Sequence, residues 1–545
     1  MIAVSAIGVR CCKRSCYFGP DTPLGSAAEP PVLMDRPARA SYAPGIVNSL
    51  LQEACEGLGP LLAFSRACTH TREMPTNPSD VDPGAPRQES AQSSGRRLKW
   101  LLAFLAIMVG VAFFPQIQEY IQNRESFSAD PGLLAKLGTA PLTSPRATVA
   151  STDWPQWRGP NRDGVSDHQA AAHWPATGLP LLWKVPGGPG HSSLAVVHGR
   201  VYTLIQDGDD EAALCLDAET GKELWRQRWP TKFTSYGGVG PRSTPAVVDG
   251  RVYAVGAGGL FQCLDAASGQ VLWRHDLLRE FAVANQEHGV SFSPLVEGDL
   301  VFAIPGGAGG SVAAFDRRDG RLLWKAADDP AGYSSPVTAT IAGKRQLVVL
   351  TGVAVKGFAL PDGKLLWSHP WPTKEGTNAA TPIVVGDYVF VSSSYNKGCA
   401  LLEIAPDGPD ALAARPVYEH NRMRNHFSTC VLLDDHLIGF DETFLVCMEL
   451  RTGKVQWKQR GFNKGSVLLA GGKLIVLGDN GVLALVEPNP EKYQELARCT
   501  ISNTICWALP ALAGGRLFVR DQESIMCFDL KGSPAADERP KNSRE

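Results

Sequence analysis

What this sequence has little of narrows its chemistry. It contains no G-x-S-x-G elbow, no H-E-x-x-H pair, no kinase motif set and no C-x-x-C-H haem-attachment site, which removes the local footing for those chemistries. A Gly-rich stretch, Gly306-Gly307-Ala308-Gly309-Gly310, lacks the Gly-Lys-Ser/Thr ending of a phosphate loop and opens no helix, so it reads as a turn. Charge of one sign is missing as well. The 53 Lys and Arg stand against 55 Asp and Glu, a net −2, and nothing points to a nucleic-acid surface. The 13 cysteines are an odd number, and beyond residue 95 no two are adjacent, so no disulfide is assigned. Long helical periodicity is nearly absent, which with many Gly and Pro fits an all-β body.

What is present is a repeat. Cys215-Leu216-Asp217-Ala218-Glu219-Thr220-Gly221 runs on to Trp225, returns as Cys263-Leu264-Asp265 through Gly269 to Trp273, and recurs loosened before Trp324, Trp367 and Trp457. A recurrence at roughly 40 to 50 residues is the mark of a propeller or array. Each unit opens on a Ser/Thr-Pro lead-in (Ser243-Thr244-Pro245, Ser293-Pro294, Ser335-Pro336, Thr381-Pro382) and an apolar run. Asp249-Gly250, Gly298-Asp299 and Gly386-Asp387 then supply two-residue hairpin turns. A second run, a Gly-rich turn, a third run and an Asp-x-x-Thr-Gly turn lead to a fourth run carrying Trp. Four short antiparallel strands make one blade. In the last turn Asp accepts backbone N–H groups while Gly takes the left-handed position, and the Trp wedges against the next blade.

Eight units are counted, with strand cores near Val196, Val247, Val296, Val348, Val384, Leu432, Leu468 and Leu512. The eighth stops after Cys527-Phe528-Asp529-Leu530 without a fourth strand, whereas Leu181-Leu182-Trp183-Lys184-Val185 is a fourth strand with no unit of its own. Each fragment completes the other. The expectation is an all-β, eight-bladed propeller over 153–530, closed by a strand taken from its own start, which removes an exposed edge.

The one long apolar run, Leu98 to Phe114, follows Arg96, Arg97 and Lys99. Its length of about 17 residues and its basic flank predict a single transmembrane helix within 96–116, with the propeller on the periplasmic side of the inner membrane. A cleaved signal peptide shares that layout, but no clear small-x-small site follows Phe114. Residues 1–95, compositionally foreign, read as a disordered tail or a mis-assigned start, with Met74 a candidate true start. Residues 117–152 read as a linker that tethers the propeller, and 531–545 as a disordered C-terminal tail. Cys215, Cys263, Cys447 and Cys527 fall at third-strand positions and read as small buried hydrophobes.

The Asp-x-x-Thr-Gly-x-x-x-Trp repeats resemble the tryptophan-docking motifs of pyrroloquinoline-quinone (PQQ) repeat propellers. That superfamily holds quinoprotein alcohol dehydrogenases and the lipoprotein propeller of the outer-membrane protein assembly machinery. Asp153-Trp154-Pro155-Gln156-Trp157-Arg158-Gly159-Pro160-Asn161-Arg162-Asp163-Gly164, Arg424-Asn425-His426-Phe427-Ser428 and Trp507 to Arg516 look like the PQQ-like propellers of planctomycete-type bacteria. The resemblance covers Asp153 to Leu530 and specifies fold more than activity. It also implies what is missing for a quinone enzyme: the vicinal disulfide over the quinone is absent, and no calcium ligands are identified. Glu449 and Ala359 replace the motif Asp in two units, and units five and seven lack the Thr-Gly turn and the Trp.

In a propeller the residues just before each lead-in gather at one mouth of the channel. His191, Arg242, Tyr333, Asn378, His426 and Asn463 form that expected ring, with Glu287, His288, Arg422 and Arg424 close by. Of these Arg242, His288, Tyr333, Asn378, Arg424 and His426 are the candidate cofactor-binding residues, since cationic and amide donors suit an anionic or quinone-like ligand. A solvated rim without ligand is the alternative. Trp154 and Trp157 read as a lid on the propeller flank rather than a cofactor stack. Two functions follow: a non-catalytic binding or scaffolding protein with an envelope protein partner, or a PQQ- and calcium-dependent oxidoreductase of alcohols or sugars. In the second, Arg242 or Arg424 polarises the quinone and Glu287 is the candidate base. The missing cysteine pair, calcium ligands and haem site favour the first.

Overall fold

The structure is a computed structural model in which residues 127–138, 142, 152–167, 174–175 and 178–530 are described. Among them, eight sheets each carry four antiparallel strands, in consecutive order in seven of the eight. Blade one is Ala195–Val197, Arg200–Asp207, Asp210–Asp217 and Glu223–Pro230. Blades two to seven repeat this order, and blade eight is built from Ala511–Ala513, Arg516–Arg520, Ser524–Asp529 and, as its outer strand, Leu181–Pro186. The ring is closed by the strand the two sequence fragments predict, in the register Trp183↔Cys527 and Val185↔Ile525.

The outer rim is held by the repeat. Asp265 Oδ1 accepts the backbone N–H groups of Ala267 and Ser268, at 3.1 and 2.8 Å, and the Ser268 hydroxyl at 2.7 Å. Gly269 follows at φ +76°, and a Cβ there would lie 2.6 Å from the Trp225 ring. The indole therefore lies flat under the next blade's turn and donates its N–H to Ala266 O at 3.1 Å. Trp183 reaches Ala218 O, Trp273 reaches Arg317 O, Trp324 reaches Pro361 O and Trp457 reaches Asn489 O in the same way. Trp367 differs, turning its N–H to Gln346 of its own blade. In blade five Tyr418 takes the Trp position opposite Leu401 and its hydroxyl donates to Leu450 O at 2.7 Å. Ala497 stands there in blade seven. Cys215, Cys263, Cys447 and Cys527 are fully buried opposite the docked rings.

At the inner end, the hydroxyl before the lead-in proline position staples neighbouring blades. Ser293 Oγ accepts from Thr244 N, Ser335 Oγ from Ser293 N, Thr429 Oγ1 from Thr381 N and Ser193 Oγ from Leu509 N, all within 2.8–2.9 Å.

Three expectations are corrected. The first strand of blade four is Val337–Ile341, and Val348 lies on its second strand. Part of the expected tether is docked: Phe127–Ala129 pairs with Tyr418–His420 on the outer edge of blade five, and Arg451 bonds Leu137 O and Gly138 O. Trp154 and Trp157 form no flank lid. Their segment crosses the central channel, because Trp154 pairs with Val196, Arg162 bonds Ser293 O and Pro294 O, Arg158 bonds Thr429 O and Cys430 O, and Val165–Ser166 pairs in parallel with Leu469–Ala470. It is a plug, and Trp154 and Arg158 are almost wholly buried. The expected anchor at 96–116 lies outside the described residues, and no described helix is long and apolar enough to cross a membrane.

Candidate functional site

On the lead-in side of the plug the channel widens into a cavity of about 190 Å³. Its ring comes from one register position, three residues before the lead-in proline or its equivalent: His191, Arg242, Ser291, Tyr333, Ala379, Phe427 and Trp507. Trp157 of the plug also lines it, with its N–H on Thr381 Oγ1 at 2.9 Å. A two-stranded hairpin, Thr234–Ser235 with Gly238–Val239, overhangs the mouth and carries Tyr236 at its tip, 97% exposed. Rings pack around the rim: Trp507 on Phe427 at 5.2 Å and on His191 at 4.8 Å, His426 on Tyr395 at 5.3 Å and His288 on Tyr333 at 5.5 Å.

Of the residues expected here, Arg242, His288, Tyr333 and His426 line the cavity, as does His191. The others do not. Asn378 is fully buried one residue out of register; its amide donates to Thr351 O and Trp371 O and accepts from Ser393 Oγ, so it braces backbone. Arg424 is paired with Asp441 at 2.6 Å. Glu287 is exposed and outside the lining. Trp157, Phe427, Trp507, Tyr236 and Tyr395 were missed as lining residues. Counting three back from Pro510 finds Trp507, whereas Phe427 precedes Cys430 rather than a proline and nothing local marks a hairpin tip or a plug.

Burial governs the charges. Desolvation, then the nearby Arg242 and Arg520, pushes His191 down to about 3. Desolvation followed by Lys464 and His288 pushes His426 down to about 4, and burial with Arg242 also lowers His288. All three imidazoles are therefore neutral at pH 7. Among the described residues, His288 Nδ1 and His426 Nδ1 have no partner. Arg242 donates to Gly240 O, Ser235 Oγ and Gly238 O at 2.7 to 3.2 Å and lies 5.3 Å from the Phe233 ring. It is the one permanent charge in the lining, and no carboxylate accompanies it.

A calcium-bound quinone does not fit this donor set. PQQ is a flat tricycle with three carboxylates, and Arg242 is already spent on neutral oxygens. No described cluster of His, Cys, Asp or Glu could hold a metal, and the cavity is below the roughly 300 Å³ at which small-molecule sites begin.

A family profile described as outer membrane protein assembly factor BamB matches residues 166–276 and 208–459. The chain is 27% identical over 260 residues to the protein of that name from Shewanella oneidensis, covering 45% of this chain and 64% of the relative. It is 26% identical over 369 residues to that from Burkholderia pseudomallei, covering 64% of this chain and 87% of the relative. The chain thus spans less than two thirds of the Shewanella protein's length. Quinohemoprotein alcohol dehydrogenase from Comamonas testosteroni superposes with a TM-score of 0.38 at 13% identity, over 70% of this chain and 81% of that one. With the profile spanning more than half of its length and eight four-stranded blades closed into a ring, the chain belongs to the family of PQQ-like β-propellers described as outer membrane protein assembly factor BamB.

Proposed function

We propose that this chain is a non-catalytic binding propeller of the cell envelope that works with a protein partner in outer-membrane protein assembly. One observation carries the reading: the imidazoles, arginines and carboxylate a reaction would draw on at the mouth are too weakly basic, spent or elsewhere. The imidazoles are held uncharged, Arg242 serves backbone carbonyls, Arg424 serves Asp441 and Glu287 stands outside the cavity. What remains is a rim of rings, the composition that protein recognition favours. The names of the relatives support the assembly role. The proposed layout has a tail at 1–95, an inner-membrane anchor at 96–116, a linker at 117–152 that partly docks on blade five, the propeller at 153–530 and a tail at 531–545. The propeller then faces the periplasm.

The test is direct. A photo-crosslinking residue at Tyr236 or Tyr395, in source cells, is expected to trap a component of the outer-membrane protein assembly machinery. A ligand that binds the native state raises its melting temperature. Micromolar PQQ with Ca²⁺ is therefore expected to leave the melting temperature unmoved; a clear rise with a bound-quinone spectrum overturns the reading in favour of a quinoprotein oxidoreductase.

A further inference from the structure

Blade four differs from its neighbours at the channel. Its innermost strand, Val337–Ile341, has 5 residues, where those of blades one, two, three, five, six and eight have 3. Counted from the first hairpin of each blade, Thr340 holds the position of Val196, Val247 and Leu469, the residue before the one that flanks the two-residue turn. Such a residue turns its N–H and C=O away from its own hairpin partner and into the channel. In blades one, two and seven the plug takes that N–H: Val196 donates to Trp154 O at 2.7 Å, Val247 to Pro155 O at 2.8 Å and Leu469 to Gly164 O at 2.9 Å. At blade seven the contact grows into a parallel ladder, Val165↔Leu469 and Ser166↔Ala470.

Blade four receives no such segment from the described residues. Instead Val337 to Thr340 line a cavity of about 640 Å³ on the side of the plug away from the aromatic mouth, and Thr340 is exposed. Thr338, two residues earlier, presents its backbone the same way, so the edge offers two outward N–H and C=O pairs in a row. The lining beside it mixes apolar Val296 and Ile383 of the flanking blades with the charged Glu297 and Arg345. Its adjacent charges are already matched: Arg345 donates to Glu297 at 2.8 Å and to Thr338 Oγ1 at 3.1 Å.

We infer that this edge is a docking strand: an extended, uncharged segment of a partner polypeptide enters the channel opposite the aromatic mouth and pairs with Thr338 and Thr340. The chain's own plug shows that these inner edges accept added backbone, and an unpaired edge is the template on which strand addition works. The cavity volume is within the usual range of ligand-binding clefts. Beside Thr338 the ion pair of Arg345 with Glu297 is already matched, which favours an uncharged segment at this edge. The inference rests on the scaffold reading only for where the partner resides.

The probe is a fluorescein-labelled nonapeptide of alternating threonine and valine, with a twin N-methylated at alternate residues. Anisotropy is expected to show saturable binding to the full chain. Thr340→Pro removes the edge N–H without touching the hairpin bonds and should weaken binding about tenfold, as loss of main-chain pairing would, and N-methylation should do the same. Hydrogen exchange of the wild type should be fast at Thr338 and Thr340 and slow once peptide is added. Absence of binding, equal binding by Thr340→Pro or by the methylated twin, or slow exchange before peptide is added would each overturn the inference. If Thr340→Pro does not fold, the twin and the exchange experiment decide with the wild type alone. PQQ reads the mouth and the peptide reads the edge, so failure of either reading is recognised separately.

Discussion

The outer rim and the channel of this propeller are both held by side chains donating to carbonyls of other blades, yet the two regions are built on different plans. At the rim one device is repeated: an indole N–H, or the Tyr418 hydroxyl, donates to the carbonyl of the second residue of the next blade's Asp-to-Gly turn or its equivalent. In the channel, apart from the hydroxyl staples, each arginine makes a contact that no other blade repeats. Arg158 and Arg162, 2% and 5% exposed, spread across it to blades six and three, and Arg520 ties blade eight to Leu204 O and Gly188 O of the chain leading into and through blade one. A repeated device tolerates the loss of one copy, as Ala497 in blade seven shows. A single-copy device has no such redundancy, so the channel should be the more sensitive region.

The largest expected effect separates the two outright. Truncation through Thr152 leaves plug and closing strand in place and should give a soluble monomer. Truncation through Lys184 removes the plug and most of Leu181–Pro186, exposing the last edge of blade eight, and should aggregate. Size-exclusion chromatography with light scattering checks both, and a stable monomer from the shorter chain would show that neither the plug nor the closing strand is needed.

Next come single rings. Trp154→Ala should cost about 3 to 5 kcal/mol, the usual range for a buried Trp, since that ring is only 1% exposed. Trp273, 8% exposed, should cost no more than that, and Trp225, only half-buried, should cost less than either. Denaturant midpoints measure the order, and a larger loss at Trp225 would reverse the comparison.

That contrast also explains what could be read from the sequence. Blade number, closing strand and docking Trp were legible because each rests on a motif that recurs or on a fragment that visibly lacks its complement. The plug was not, because Arg158 and Arg162 reach carbonyls more than a hundred residues away and nothing local announces it. Blade four was misplaced by one strand because its first hairpin turns at Ala342-Gly343 with no Asp, and its inner strand is longer. The mouth is legible only in part, since lead-ins of unequal composition hide the shared register that places Ala379, not Asn378, in the lining. The Tyr418 substitution escaped notice because blade five has longer third and fourth strands, which move the docking ring away from the expected spacing.

A smaller effect follows from the buried imidazoles. His191 and His426 are held at about 3 and about 4 when folded, against an ordinary value near 6.5. Between those limits the unfolded chain binds protons that the folded one does not, so stability is full above pH 6.5 and falls as the pH drops. Each histidine should contribute a slope of up to about 1.4 kcal/mol per pH unit. Urea midpoints measured from pH 7 to pH 5 should fall, and His426→Phe should remove part of the slope. An unchanged slope would show that this imidazole is solvated.

The smallest effect on stability belongs to the hairpin over the mouth, and it sharpens the comparison at one residue's resolution. Tyr236 is 97% exposed, so Tyr236→Ala should change stability by less than about 0.5 kcal/mol, as surface changes do. Gly238, two residues on, has φ +109°, and a Cβ there would lie 2.7 Å from His191 Nε2, the atom that donates to Gly237 O at 3.1 Å. Gly238→Ala should therefore strain the backbone, displace His191 from Trp507 and lower the melting temperature measurably. If the hairpin serves recognition, the pair divides cleanly: the Tyr236 variant keeps its melting temperature and loses the partner crosslink placed at Tyr395, while the Gly238 variant loses both. Full retention of the crosslink in Tyr236→Ala would move recognition away from the tip and onto the rings beneath it.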